Sequence, residues 1–328
     1  MELSLTDYDH LRRPHRKVQG ISAILLPYDG QGRMDEAGFR HHLQRTRAAG
    51  LRCAVNMDTG YGDLLTPEEK LRVLGWTQEL HAGQDWFAAG ALPAVIEGSP
   101  AAAYARECAR IAEHGGIPMI FPSAATAALD DDGLIAFFRE VAQATPRFLA
   151  FELGKMFNPN GRIFSLRVLH ALMEMPQCLG LKHSSLDRRT EMARMILRDR
   201  MRADFTVYTG NDLALDMIEF GSDYLLGLST FAPEAFAARD RAWLEGRAEY
   251  LELRDAIQYL GWIGFRSPVP AYKHSAAIFL KMTGGLQWDE THPRAPRREP
   301  WDREALADAA RRLLQVCPEA GQLAASAQ

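Results

Sequence analysis

Apolar residues along the chain gather into short runs at regular intervals. The runs are ISAILL from Ile21, RCAVNM from Arg52, WFAAGAL from Trp86, IPMIF from Ile117, RFLAFEL from Arg147, QCLGLK from Gln177, DFTVYTG from Asp204 and DYLLGL from Asp223. Continuous apolar stretches of this length predict strands buried on both faces. Between them the apolar positions take helical spacing. Leu134, Phe137, Phe138 and Val141 fall at i, i+3, i+4 and i+7, and Leu71, Val73, Leu74 and Trp76 lie in a second such segment. Thr66-Pro67-Glu68-Glu69 reads as a capping box with proline at the first helical position, where its missing N–H costs nothing. Ser184 and Asp187 mark another helix start, with the acid at the positive end of the helix dipole.

Strand starts recur roughly every 30 residues over the first six units and closer at the end, which is the size of a βα unit. Eight strands alternating with eight helices predict an α/β fold, a closed (β/α)8 TIM barrel, over residues 20–245. An open doubly wound sheet would use fewer strands. An N-terminal arm, residues 1–19, precedes the barrel. A C-terminal helical appendage, residues 246–328, follows it, with helices expected over 248–263, 270–283 and 303–315. The stretch 288–300 is too rich in proline and arginine for a helix, and the alanine-rich end, 318–328, is expected to fray.

Composition narrows the function. The chain has 328 residues, 47% hydrophobic and 24% charged, with a net charge of −4, the mix of a folded protein rather than a disordered one. The slight acidity argues against nucleic-acid binding, which needs a basic face. No apolar run reaches the roughly 18 residues of a membrane span. Residues 1–19 lack the apolar core of a secretory signal. The four cysteines form no C-x-x-C pair and read as buried free thiols in a reducing, cytoplasmic compartment. The histidines show no metal-ligand spacing, and no phosphate loop, dinucleotide fingerprint or G-x-S-x-G elbow is present, so neither a metal nor a cofactor is expected.

In a barrel of this kind the active site lies at the C-terminal ends of the strands. The polar residues expected there are Asn56, Asp58 and Thr59 after the second strand, Ser123 after the fourth, and Glu152 ending the fifth. Lys182 ends the sixth, Thr209, Asn211 and Asp212 follow the seventh, and Ser229 and Thr230 follow the eighth. Lysine is the informative type. Of 38 basic residues only six are lysines, and only Lys182 lies in a predicted strand. Burial there disfavours the ammonium and lowers its pKa. A neutral amine in a barrel mouth can attack a carbonyl and form a Schiff base, an electron sink for bond making or breaking. The competing reading is a structural ion pair with Glu152. His183, one step along the strand, is expected to face the helices. Thr59-Gly60 reads as a turn whose N–H groups can hold a carboxylate. Asp212 either caps the next helix or meets the substrate, and Lys155 and Arg162 are either solvated or carboxylate ligands.

With these residues in place the chain, over about residues 18–315, resembles the dihydrodipicolinate synthase / N-acetylneuraminate lyase family of Schiff-base aldolases. The opening Gly20-Ile-Ser-Ala-Ile-Leu-Leu-Pro27-Tyr28 is similar to the family's first strand. Asp58-Thr59-Gly60-Tyr61 followed by Leu65-Thr66-Pro-Glu-Glu69 is similar to its G-T-T-G-E turn and L-T-x-E-E helix start. Gly180-Leu-Lys182-His-Ser-Ser185 matches the motif of the Schiff-base lysine. Thr209-Gly210-Asn-Asp212, Gly227-Leu-Ser and Arg294-Ala-Pro296 resemble the later strands and the final crossing. The chain departs from the pattern at five places, one of them the substrate-binding arginine after strand 5, which is not evident and for which Lys155 and Arg162 are the candidates. Asp58 stands for the turn's first threonine, Tyr61 for its glutamate, Phe151 for the strand-5 tyrosine that transfers protons, and Ser123-Ala-Ala for the strand-4 tyrosines.

The resemblance implies a Schiff-base lyase, aldolase or dehydratase in type, acting on a 2-oxo acid such as pyruvate or a sugar-acid derivative. It also implies a homodimer or homotetramer. The alternative is a catalytically inactive barrel that binds a small acid as a sensor or partner. Lys182 is the expected nucleophile, with Glu152 and Asp58 as acid/base groups in place of the tyrosine. Thr59, Gly60, Asp212 and Leu226 are the expected substrate contacts.

Overall fold

The structure is a computed structural model that describes residues 11–81 and 86–323. Residues 1–10 of the N-terminal arm and residues 324–328 of the end expected to fray lie outside the described residues. Eight parallel strands close into a barrel in chain order. They are β1 (Gly20–Ala23), β2 (Arg52–Val55), β3 (Phe87–Ala91), β4 (Gly116–Ile120), β5 (Phe148–Leu153), β6 (Cys178–Ser184), β7 (Thr206–Thr209) and β8 (Asp223–Leu226). Each falls on one of the apolar runs. The helices are α1 (Glu36–Ala48), α2 (Pro67–His81), α3 (Pro100–Glu113), the short α4 (Ala124–Ala127), α5 (Asp131–Ala144), α6 (Leu166–Glu174), α7 (Arg188–Met201) and α8 (Pro233–Glu245). After the barrel come α9 (Glu249–Gly264), α10 (Tyr272–Met282) and α11 (Asp302–Val316).

Local chemistry sets several of these boundaries. The capping box before α2 forms in both directions, Thr66 N–H to Glu69 Oε2 at 2.9 Å and Glu69 N–H to Thr66 Oγ1 at 3.2 Å. At α7 the cap is Asp187 itself, whose Oδ1 accepts the Arg189 N–H at 2.9 Å. Ser184 belongs to β6 and lines the cavity at the barrel mouth, so it does not cap. The alternation also breaks once. Between β7 and β8 the chain makes only a 3-10 helix, Leu215–Phe220, ended by Gly221 at φ 103°. The spacing between those two strands leaves no room for a full helix, so the seventh of the eight expected βα repeats is abbreviated.

Two apolar layers hold the fold. One, including Ile21, Ala54, Met119, Leu149, Phe151, Tyr208 and Leu225, fills the barrel interior. The other, larger layer lies between the strands and the helices and includes Leu181, Val207 and Leu226. The alternation of strand side chains sorts residues between them. The N-terminal arm crosses the far end of the barrel. There Arg16 Nη1 meets Asp223 at 2.8 Å and Arg12 Nη2 meets Glu219 at 2.9 Å. No helix among the described residues is long and apolar enough to cross a membrane.

Candidate active site

Lys182 is placed by the register of β5, β6 and β7. Phe151 pairs with Lys182 and Lys182 with Tyr208. All three side chains therefore face the barrel interior, and the Lys182 ammonium lies 4.5 Å from the centroid of the Phe151 ring. The residue is 8% exposed and lines a small cavity at the C-terminal mouth of the barrel. Among the described residues it makes no hydrogen bond and no ion pair. Burial disfavours its charged form and lowers its pKa to about 8, while Asp212 and Asp58 pull the other way. Gly210 makes the room. A Cβ there would stand 2.0 Å from Ser184 Oγ and 2.9 Å from Lys182 Cε.

The opposite wall joins the β2 turn to the C-terminal region. Tyr272, at the start of α10, donates its hydroxyl to Asp58 Oδ2 at 2.8 Å. Its oxygen is also 2.8 Å from Thr59 Oγ1. The phenol's one hydrogen goes to the carboxylate, so Thr59 is the donor in that second bond. Lys273 Nζ bonds the other Asp58 oxygen at 3.0 Å and holds the Asp58 carboxyl below its usual pKa against the cost of burial. The Tyr272 ring stacks on Phe265 at 4.4 Å. Burial and the Asp58 carboxylate keep the phenol protonated, its pKa well above the ordinary value. Gly227 leaves space for this pair, since a Cβ there would be 3.0 Å from Tyr272 Cε2 and 3.2 Å from Thr59 Oγ1.

Asp212 completes the wall. Its Oδ1 accepts the Leu228 N–H at 2.7 Å. Burial raises its pKa to about 7, with that hydrogen bond and Lys182 opposing. Ser184 also lines the cavity, and its buried hydroxyl has no hydrogen-bond partner among the described residues. The two aspartates thus sit in one cavity with pKa values pushed apart, Asp58 held as a carboxylate and Asp212 able to carry a proton near neutrality. That difference is what separates acid from base in a shared site.

Three expected placements are corrected. Glu152 does not reach Lys182. It pairs in register with His183, so both face the helices. There Glu152 is fully buried and accepts from Arg194 Nε at 2.7 Å, from the Phe164 N–H at 2.7 Å and from His183 Nδ1. Those donors lower its pKa to about 2, which fixes it as a structural anion. Leu226 turns its side chain into the strand–helix layer, away from the cavity; its neighbour Leu225 is the inward one. Gly60 lies behind the wall, and its N–H is already taken by Met57 O at 3.0 Å, so it offers no donor to a carboxylate. Thr59 and Asp212 do line the cavity, with Asp58 and Lys182. Lys155 and Arg162 do not: Lys155 is exposed, and Arg162 bonds Leu129 O and Asp131.

Sequence reasoning missed Tyr272 and Lys273. Both lie in the first turn of a helix whose buried residues run from Tyr272-Lys273-His274-Ser275 into an apolar stretch, and the only local signal is that buried polar run at its start. The other polar strand-end residues serve the scaffold. Asn56 Nδ2 donates to Lys70 O at 3.1 Å, Thr209 to Glu191 at 3.0 Å, and Thr230 Oγ1 sits 2.7 Å from His42 Nε2. No group of three or more histidine, cysteine, aspartate or glutamate side chains among the described residues is placed to hold a metal ion.

No family model matches the chain. It is 28% identical over 293 residues to "Probable 5-dehydro-4-deoxyglucarate dehydratase 2" of Streptomyces avermitilis, covering 85% of this chain and 82% of that one. It is 26% identical over 275 residues to a 4-hydroxy-tetrahydrodipicolinate synthase of Gluconacetobacter diazotrophicus, covering 80% of this chain and 87% of that one. Among solved structures the fold is similar to the sialic acid aldolase of Ruminococcus gnavus, with a TM-score of 0.78 at 15% identity over 93% of this chain and 99% of that one. It is also similar to the dihydrodipicolinate synthase of Thermotoga maritima, with a TM-score of 0.77 at 15% identity over 90% and 98% of the two chains.

Proposed function

We propose, from the premise that the chain belongs to the dihydrodipicolinate synthase / N-acetylneuraminate lyase family and is a lyase of that family, that it forms a Schiff base between Lys182 and a small 2-oxo acid. The observation that carries this reading is the state of Lys182. A buried amine without a hydrogen-bond or ion-pair partner among the described residues is held in a small cavity, beside an aromatic ring and close to two carboxylates of different proton affinity. Nothing in a purely structural role would leave the one strand-borne lysine unpaired.

The chemistry follows from the groups present. The neutral Lys182 amine adds to the carbonyl carbon, and the carbonyl π pair moves onto oxygen. One amine proton passes to that oxygen. On collapse the nitrogen lone pair forms the C=N bond and the hydroxyl leaves as water with a proton from the Asp212 carboxyl, while the nitrogen keeps its second proton, so that the imine is N-protonated. A positioned acid/base group on that path contributes a factor of roughly 10² to 10⁴. Asp212 suits the carrying of such a proton, because its raised pKa of about 7 lets it hold and release one near neutral pH.

The unpaired Ser184 hydroxyl and the Asp212 carboxyl favour a substrate that brings hydroxyl groups to the cavity, such as a sugar-acid derivative. The relative named as a 5-dehydro-4-deoxyglucarate dehydratase supports the same choice. Lys182→Arg tests the reading. Guanidinium keeps the charge but stays protonated and cannot add to a carbonyl. The variant is expected to fold as wild type and show no turnover of any hydroxylated 2-oxo acid that the wild type consumes. Turnover by the arginine variant at a comparable rate would refute the assignment.

A further inference from the structure

The wall facing Lys182 contains a hydrogen-bonded chain with a single direction. Thr59 Oγ1 donates to the Tyr272 oxygen at 2.8 Å, and Tyr272 donates to Asp58 Oδ2 at 2.8 Å. Lys273 Nζ, 3.0 Å from Asp58 Oδ1, fixes the far end as an anion. Tyr272 supplies the only phenol lining this cavity among the described residues, since Phe151 presents a bare ring to Lys182. Stacking on Phe265 at 4.4 Å and the clearance at Gly227 hold the phenol in one orientation. A tyrosine that only braced the C-terminal region against the barrel would not need its hydroxyl in the cavity that holds the reactive amine.

We propose that Tyr272 is a catalytic residue that carries a proton between the imine-bound substrate and Asp58. The proposal rests on the reading of Lys182 as the imine-forming residue. A proton leaves C3 of the Lys182-bound, N-protonated imine for the phenol oxygen, while the phenol's own proton passes to Asp58 Oδ2. The C3–H electron pair becomes the C=C bond of an enamine, and the C=N π pair settles on nitrogen. Thr59, donating to the phenol oxygen, steadies it through the transfer. The reverse motion returns a proton to carbon. The relay is built from the β2 turn and the first turn of α10, so the C-terminal region contributes to the chemistry itself.

Exchange of C3 hydrogens for solvent deuterium reports this step without knowledge of the natural substrate. Pyruvate, 2-oxobutyrate and 2-oxoglutarate would each be incubated with the full chain in D2O and followed by proton NMR, with borohydride trapping measured in parallel. Wild type is expected to trap and to exchange with at least one of them. Tyr272→Phe keeps the ring and its stacking. It is expected to trap to the same extent but to exchange at least about 100-fold more slowly. Asp58→Asn is expected to slow exchange similarly, and the double variant no further than the worse single one, as for groups acting as a unit. The Asn variant also carries the test should the Phe variant fail to fold. Wild-type exchange rates in a folded Tyr272→Phe or Asp58→Asn variant that still traps would overturn the relay and leave the lyase reading standing. Absence of trapping in wild type with all three acids would overturn both.

Discussion

As the proposed nucleophile Lys182 must be neutral to attack, and its surroundings bring that within reach. Burial against Phe151 lowers its pKa to about 8 from the usual 10.5. A group that must lose its proton to act gives a rate that rises with pH until it is fully deprotonated. The value of kcat/KM is therefore expected to climb through about pH 8 and level off above it. A profile flat from pH 6 to about pH 10 would contradict a buried amine as nucleophile. The same site depends on an absence. Gly210→Ala puts a methyl carbon 2.0 Å from Ser184 Oγ and 2.9 Å from Lys182 Cε, so the lysine must leave its position. That variant is expected to keep its fold by circular dichroism and lose at least about 100-fold in kcat/KM, the scale at which a misplacement of about 1 Å acts. The lysine was legible in the sequence because a lone strand-borne lysine contradicts its apolar neighbours. Tyr272 was not, because its partners Asp58 and Thr59 lie more than 200 positions away and nothing local encodes that meeting.

At the scale of elements the decisive fact is the register between β5 and β6. The sequence shows two strands each carrying polar residues near their ends, but not which residues lie side by side. Phe151 beside Lys182 and Glu152 beside His183 turn the carboxylate to the helix side, where α7 brings Arg194 to meet it. Alternation within β6 was enough to orient His183 from the sequence; orienting Glu152 also required the pairing across strands. Glu152→Gln therefore belongs to stability. It leaves the buried Arg194 without its charge partner, a loss of about 3 to 5 kcal/mol for a broken buried pair. A thermal melt should shift down strongly, whereas an unchanged melt with lost turnover would return Glu152 to the chemistry. The pH dependence has the same origin. The Glu152 pKa falls from 4.5 to about 2 on folding, so its contribution is complete above about pH 4.5. It is lost as pH drops from there toward 2 and is on the order of 3 kcal/mol. Acid unfolding of wild type should show that loss, and the Gln variant should lack it.

Over the whole molecule the barrel carries Lys182 and the C-terminal region supplies part of the wall around it. Residues Phe265, Tyr272 and Lys273, all beyond β8, stand against the mouth of the barrel. The sequence predicted both parts, since eight apolar runs at even steps and three helices after them are local patterns. It could not show that the second part reaches into the first. On the outside, α9 leaves Leu251 53% exposed and Trp262 59% exposed. Eleven positions apart, they share one helix face. Light scattering at micromolar concentration is expected to give a dimer or tetramer, and a single-chain mass would count against that assembly. The central claim, an imine at Lys182, has a direct test. The wild-type protein would be reduced with borohydride in the presence of pyruvate or a hydroxylated 2-oxo acid, digested and mapped by mass spectrometry. The account predicts that the mass of the reduced adduct appears on the peptide containing Lys182 and is absent when either the acid or the borohydride is left out. An adduct on Lys155 or Lys273 instead, or none with any 2-oxo acid, would contradict it.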